Sequence, residues 1–136
     1  MRSKKVILDT NLWISFLISK RLKVIDELIH SEKIKLIFSN ESIEEFLTVA
    51  KRPKFHKHFS DSDLKELLQL FDKYGKLVEV NIQIEECRDY KDNFLLSLAV
   101  ESKADYLVSG DSDLLILENI KKTKIVTWTD FTKEIK

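Results

Sequence analysis

A chain of 136 residues and 16.0 kDa has the size of one domain, large enough to bury a hydrophobic core without covalent staples. A hydrophobic fraction of 43% and a charged fraction of 34% exclude a disordered chain, and a single cysteine, Cys87, excludes both an internal disulfide and a thiolate metal cluster. Lys plus Arg and Asp plus Glu each number 23, so the net charge of zero selects neither for nor against a nucleic-acid partner.

The opening MRSKKVILDTN is basic but lacks the apolar length and cleavage site of a secretory signal, and no later segment is apolar enough to span a bilayer. A cytoplasmic location with no membrane partner is expected. KVIL (5–8) predicts a first strand, and a helical tract follows over 12–31 with a break near Ser19. KLIF (35–38) predicts a second strand, after which Ser39 or Asn40 caps a helix whose apolar positions are Ile43, Phe46, Leu47 and Ala50. That helix ends before Pro53. Ser60, with Asp63 three positions on, opens another helix with the stripe Leu64, Leu67, Leu68 and Phe71, which reads as core, and Gly75 closes it. LVEVNI (77–82) predicts a third strand and KDNFLLSLAVES (91–102) a helix with Phe94, Leu95, Leu98 and Ala99 inward. DYLVS (105–109) and KIVTW (124–128) predict the last two strands, and Thr129 caps a final helical turn or two.

Short apolar strands alternating with helices predict a parallel sheet covered on both faces, a three-layer α/β/α sandwich. No repeat, low-complexity segment or linker divides residues 1–136, so a single domain is expected. In such a sheet the functional crevice lies beyond the carboxyl ends of the strands. Asp9 follows the first strand, and Asp111 follows the fourth after Ser109 and Gly110. Glu45 rides on the helix leaving the second strand, with Glu44 as its competitor; Asp92 lies in the first turn of the helix feeding the fourth, with Asp89 as its rival. Four carboxylates at one rim repel one another unless a hard cation gathers them, and Mg²⁺ or Mn²⁺ prefers such oxygen ligands. A centre of that kind suits phosphodiester hydrolysis. Asp113 reads equally as a metal ligand or as the cap of a short turn.

These residues carry a resemblance. VILDTNLWIS, SNESIEEFLTVAKRPKF, RDYKDNFLLSLAVESKADYLVSGDSDLL and KIVTWTDF, in that order, resemble the PIN-domain family, specifically the toxin components of bacterial toxin–antitoxin pairs. The resemblance implies a five-stranded parallel sheet in the order 3-2-1-4-5, which makes the first and fourth strands neighbours. It also implies a ribonuclease acting on single-stranded or locally unpaired RNA with one or two Mg²⁺ or Mn²⁺ ions, a homodimer, and a cognate antitoxin. The matching acids are Asp9, Glu45, Asp92 and Asp111, with Asp113 as an additional ligand.

Around them Asn11 reads as a hydrogen-bond donor to an acidic ligand or as a helix cap, Thr10 and Ser109 as groups that orient carboxylates, contact phosphate or serve as structural hydroxyls, and Asn93 as a support for Asp92 or a solvated residue; Gly110 is expected to serve a tight strand exit where a side chain crowds the turn or the substrate. The densest basic stretch is Lys51, Arg52, Lys54 and Lys57 with His56 and His58; Lys20, Arg21 and Lys23 form a smaller group, as do Lys121, Lys122 and Lys124. Each group alone reads as a solvated face, but beside an acidic centre Arg52, Lys54 and Lys57 become phosphate contacts, with Phe55 as a base-stacking candidate. His56 and His58 read as surface residues, Trp13 as core or dimer surface, and Cys87 as buried or incidental. Two other classes compete: a phosphotransfer protein with Asp9 as nucleophile, which usually needs a second Asp where this chain has Asn11, and a PIN-like module that binds RNA or protein without cutting it. Structure-specific DNA cleavage is a nearer alternative.

Overall fold

The computed structural model describes residues 3–19, 22–55, 57–58 and 60–135. In chain order they form β1 (Lys4–Leu8), α1 (Thr10–Ser19), α2 (Leu22–His30), β2 (Ile34–Phe38) and α3 (Asn40–Ala50), then a 3-10 turn at Pro53–Phe55 and α4 (Asp61–Tyr74). There follow β3 (Gly75–Leu77), α5 (Tyr90–Ser102), β4 (Tyr106–Val108), α6 (Ser112–Leu115), β5 (Asn119–Ile120), β6 (Thr123–Val126) and α7 (Trp128–Ile135). His56, Lys20 and Arg21 lie outside the described residues.

The strands are buried on both faces because successive side chains feed two different cores. Val6 and Leu8, Leu36 and Phe38, Val108 and Val126 point into a core shared with Trp13, Phe16, Phe46, Leu67 and Phe71. Ile7, Ile37, Leu107 and Ile125 point the other way, against Leu95, Leu96, Leu98 and Leu114. The period of two thus builds three layers from strands that look uniformly apolar. Trp13 is buried among Phe38 and Phe71, its ring edge-on to the latter at 4.9 Å.

The five expected strands occur in the expected order, but the sheet has six strands, β3-β2-β1-β4-β6-β5, and is mixed rather than parallel. The additional strand β5 pairs antiparallel with β6, a tight hairpin whose turn residue Lys121 takes φ 50. It carries no glycine, which is why the sequence does not announce it.

The third strand is also shorter and earlier than LVEVNI. It pairs with β2 only from Gly75 to Leu77, and Val78 N–H makes one further bond to Phe38 C=O at 2.7 Å. There β2 ends, because Ser39 turns away to cap α3 in a reciprocal box with Ser42. The chain beyond satisfies its backbone on α5 instead: Asn81 N–H donates to Glu101 and Ile84 N–H to Ser97 Oγ, at 2.8 and 2.9 Å.

Two smaller expectations change. Leu96 rather than Phe94 is fully buried on α5, and Phe94 is only partly covered. Thr127, whose Oγ1 accepts from Asp130 N–H at 3.1 Å, opens α7 in place of Thr129, so Trp128 is helical and not part of the strand. The box of Ser60 and Asp63 on α4 forms as read.

The two glycines differ sharply. A Cβ at Gly75 meets the Phe71 carbonyl at 2.6 Å and the Phe38 ring at 2.8 Å, whereas one at Gly110 meets nothing within 4 Å. No crowding of the chain therefore requires glycine at Gly110, contrary to the sequence expectation. Gly75→Ala is expected to destabilise the fold by about 1–3 kcal/mol through overpacking, and Gly110→Ala by less than about 0.5 kcal/mol. Urea denaturation of the two variants side by side checks this; equal midpoints would refute it.

Candidate metal centre

The site is laid out by strand register. β1 and β4 pair with Leu8 opposite Val108, so the next residues, Asp9 and Ser109, emerge side by side at the carboxyl-end rim. Asp9 N–H still bonds Val108 C=O at 3.0 Å, and Asp9 C=O receives the first turn of α1. The Asp9 carboxylate is held from both sides: Ser109 Oγ–H donates to Oδ2 at 2.8 Å and Asn11 N–H to Oδ1 at 3.2 Å. Ser109 Oγ in turn accepts from Asp111 N–H at 3.0 Å, tying the two acidic segments together through one hydroxyl. Asp111 caps the short α6, its Oδ1 accepting from Asp113 N–H at 2.8 Å.

Asp92 arrives from the opposite side. Asp89 caps α5 through Lys91 N–H, which puts Asp92 in its first turn facing the rim. Asp92 is 6% exposed, and its Oδ2 has no hydrogen-bond partner among the described residues. One oxygen from each of Asp92, Asp111 and Asp113 lies within 4.8 Å of the others. A buried carboxylate oxygen without a donor, beside two further carboxylates, is the geometry a hard divalent cation fits. The donor set is all oxygen, of the kind that Mg²⁺ and Mn²⁺ prefer.

Glu45 completes a cavity of about 260 Å³ that Asp9, Asp92 and Asp111 also line. Its Oε2 accepts from Thr10 Oγ–H at 3.4 Å, and its Oε1 lies 3.4 Å from Lys91 Nζ. Val49 and Leu95 form the apolar wall. The four expected acids therefore share one cavity. Asp9 and Glu45 stand outside the tight cluster, and Asp113 belongs to that cluster without lining the cavity. Glu44 is exposed, whereas Asp89 does line the cavity.

One supporting residue stands differently from the sequence reading. Asn93 does not bond Asp92: its side-chain amide clamps the Cys87 backbone, with bonds of 2.7 and 2.8 Å. Asn11 reaches Asp9 through its backbone. Arg52 lines the cavity; Lys54 instead lies over the Phe55 ring at 5.1 Å, Lys57 and His58 are exposed, and Phe55 packs partly against the core.

Sequence reasoning missed Lys91 and Arg88, whose guanidinium lies 3.5 Å from both Asp113 oxygens. The one available signal was their position, flanking the acids in RDYKD. Cys87 also sits at the edge of the site, its thiol 3.8 Å from Asp113 C=O. Its pKa is pushed up by burial and then by Asp92, Asp113 and Asp111, so it stays a thiol.

The Asp92 carboxyl is pushed up to about 6, first by burial and then by the charges of Asp111, Asp89, Asp9 and Asp113. Every contribution arises from negative charge or lost water, which a bound dication opposes.

Residues 5–113 match the PIN domain family. The chain is similar to the uncharacterized protein MJ1680 of Methanocaldococcus jannaschii, 33% identical over 122 residues, 87% of this chain and 77% of that protein. It is also similar in fold to the crystal structure of PAE2754 from Pyrobaculum aerophilum, with a TM-score of 0.58 and 17% identity over 96% of this chain and 88% of that one.

The raised Asp92 pKa has a definite sign in stability. The native state holds this proton more tightly than the unfolded chain, so the contribution is present below the ordinary carboxylate range and is lost as pH rises through about 6. In chelator, the protein is expected to lose roughly 2–3 kcal/mol from Asp92 between pH 4 and pH 7. Asp92→Asn should flatten that slope and be the more stable form at pH 7, and Mg²⁺ should stabilise wild type alone. Denaturant melts at several pH values measure it; a wild-type slope unchanged by Asp92→Asn would contradict the assignment.

Proposed function

This chain belongs to the PIN-domain family, and from that premise we propose that it is a metal-dependent endoribonuclease. The substrate is single-stranded or locally unpaired RNA, and the protein serves as the toxin of a toxin–antitoxin pair. The observation that carries this reading is the lining of one cavity by carboxylates from four separate chain segments, one of which, Asp92, has a buried oxygen with no partner among the described residues and clusters with Asp111 and Asp113. Such an arrangement has a use in phosphodiester chemistry and a cost otherwise.

One or two Mg²⁺ or Mn²⁺ ions would be held by Asp92, Asp111 and Asp113, with Asp9 and Glu45 beside them, and would supply an acidified water and charge screening at phosphorus. Each of the chain's own groups has a task that follows from its surroundings. Asp9 is immobilised by Ser109 and Asn11, so it offers a fixed rather than a searching carboxylate. Glu45 and Asp92 would complete the acidic set or orient the attacking water.

Arg52 on the cavity wall supplies positive charge for a phosphate oxygen, as Lys54 and Lys57 do further along the same basic segment. Water as nucleophile leaves 5′-phosphate and 3′-hydroxyl ends. A homodimer, an antitoxin partner and a cytoplasmic location complete the proposal; among the described residues no helix is long and apolar enough to cross a membrane.

Purified protein should cleave unpaired RNA in Mg²⁺ or Mn²⁺, lose cleavage in chelator, and lose at least about 100-fold in rate on Asp111→Asn, more than removal of an outer partner of a ligand costs. Mapping the cut ends identifies the nucleophile. Cleavage of DNA in preference to RNA would reassign the substrate, and RNA binding without metal-dependent cleavage, unaltered by Asp9→Asn, would make the chain a binding module.

A further inference from the structure

The first turn of α5 separates two concavities. Asp89, Lys91 and Asp92 face the acidic cavity, whereas Arg88, Tyr90 and Asn93 line a groove of about 840 Å³ whose other wall is the extended segment 80–85. We propose that this groove is a subsite for one unpaired nucleotide next to the cleaved phosphate, with Tyr90 stacking on its base and Arg88 contacting its phosphate. The proposal rests on the nuclease reading above.

Three features carry it. Tyr90 is 79% exposed although it is a large aromatic side chain, and it lies in the first turn of α5, two residues from Asp92 in sequence. An aromatic face left in water beside a nucleic-acid cleavage site is what a splayed base stacks on. Phe94, only partly covered, lines the same groove, while Asn81 and Gln83 bring side-chain amides able to bond a base edge.

Arg88 reaches from the groove toward the acidic cluster. It lines the groove and also approaches Asp113 at 3.5 Å. Its side chain is 90% exposed, so that contact is screened by water and holds the guanidinium weakly. A phosphate is the stronger bidentate partner.

Charge fixes the extent of the ligand. Glu41 and Glu85 line the groove as well, so a polyanion running its full length is disfavoured. A single base inserted from the Arg88 end is compatible with that lining. A docked peptide would not need an acidic cluster within reach of the same arginine.

The test is steady-state cleavage of an unpaired oligoribonucleotide in Mg²⁺ by the full chain as wild type, Tyr90→Ala and Tyr90→Phe, with a series of single abasic positions around the cut. Stacking predicts a KM raised about 5- to 100-fold by Tyr90→Ala, little change in kcat, and rescue by Tyr90→Phe. At one position the abasic change should cost wild type the same factor and cost Tyr90→Ala nothing further. The rise in thermal stability on adding Mg²⁺ should be equal in all three proteins. Wild-type cleavage with an unaltered KM for Tyr90→Ala, or losses that multiply at every abasic position, would overturn the subsite and leave the nuclease intact. Absence of cleavage by wild type would remove both. Loss by Tyr90→Ala of binding to a protein partner, with RNA kinetics unchanged, would reassign the groove to that partner.

Discussion

Burying a carboxylate away from water is unfavourable unless something replaces the lost hydration, and at the rim of this sheet the replacement is uneven. Asp9 has Ser109 and Asn11, Asp111 has the Asp113 backbone, Asp113 has Arg88, and Glu45 has Thr10 and Lys91. Asp92 Oδ2 is buried and has no such partner among the described residues. The consequence is a carboxyl that holds its proton to about 6 and a local field seeking positive charge. The surrounding groups can be understood as devices that keep the other acids in place while this one waits for a cation.

The sheet makes that arrangement possible by register. Because Leu8 and Val108 are opposite one another, a two-residue overshoot on one strand and none on the other brings Asp9 and Asp111 together with Ser109 between them. A slip of one residue would turn Asp9 toward a different face and break the Ser109 bridge. Register is in turn fixed by the alternation of Val6, Ile7 and Leu8 between two cores. Packing on both faces therefore sets the geometry of a polar site that neither core contains.

What was legible in the sequence follows from which interactions are local. Strand ends, capping boxes and the helical stripe of α4 depend on neighbours a few residues apart, and they form as read at Ser60 and at β1, β2 and β4. The early end of β3 depends on where β2 stops, which is a property of a different segment. Hairpin β5–β6 turns on Lys121 without the glycine that normally marks such a conformation. At the site, the acids themselves were legible because charged groups at strand exits are conspicuous. Lys91, Arg88 and the true role of the Asn93 amide were not, since a lysine, an arginine or an asparagine near a helix start has many equivalent uses until its partner is known.

The same contacts bear on the phosphotransfer alternative, in which Asp9 attacks phosphorus itself. A carboxylate attacking phosphorus must swing a lone pair onto its target, and each hydrogen bond that it accepts both fixes it and weakens it as a nucleophile. Here Oδ2 receives the Ser109 hydroxyl and Oδ1 the Asn11 amide, both drawing electron density away, and the residue two positions on is an asparagine with no proton to shuttle. Asp9 is thus built as an anchored ligand or electrostatic wall. Asp92 is unsuited for another reason: its burial between Asp111 and Asp113 leaves room for an ion they share more readily than for a phosphoryl group carrying like charge. The proposed hydrolysis asks less of these acids, since its nucleophile is a water in the cavity, whose walls also carry Arg52 and Lys91.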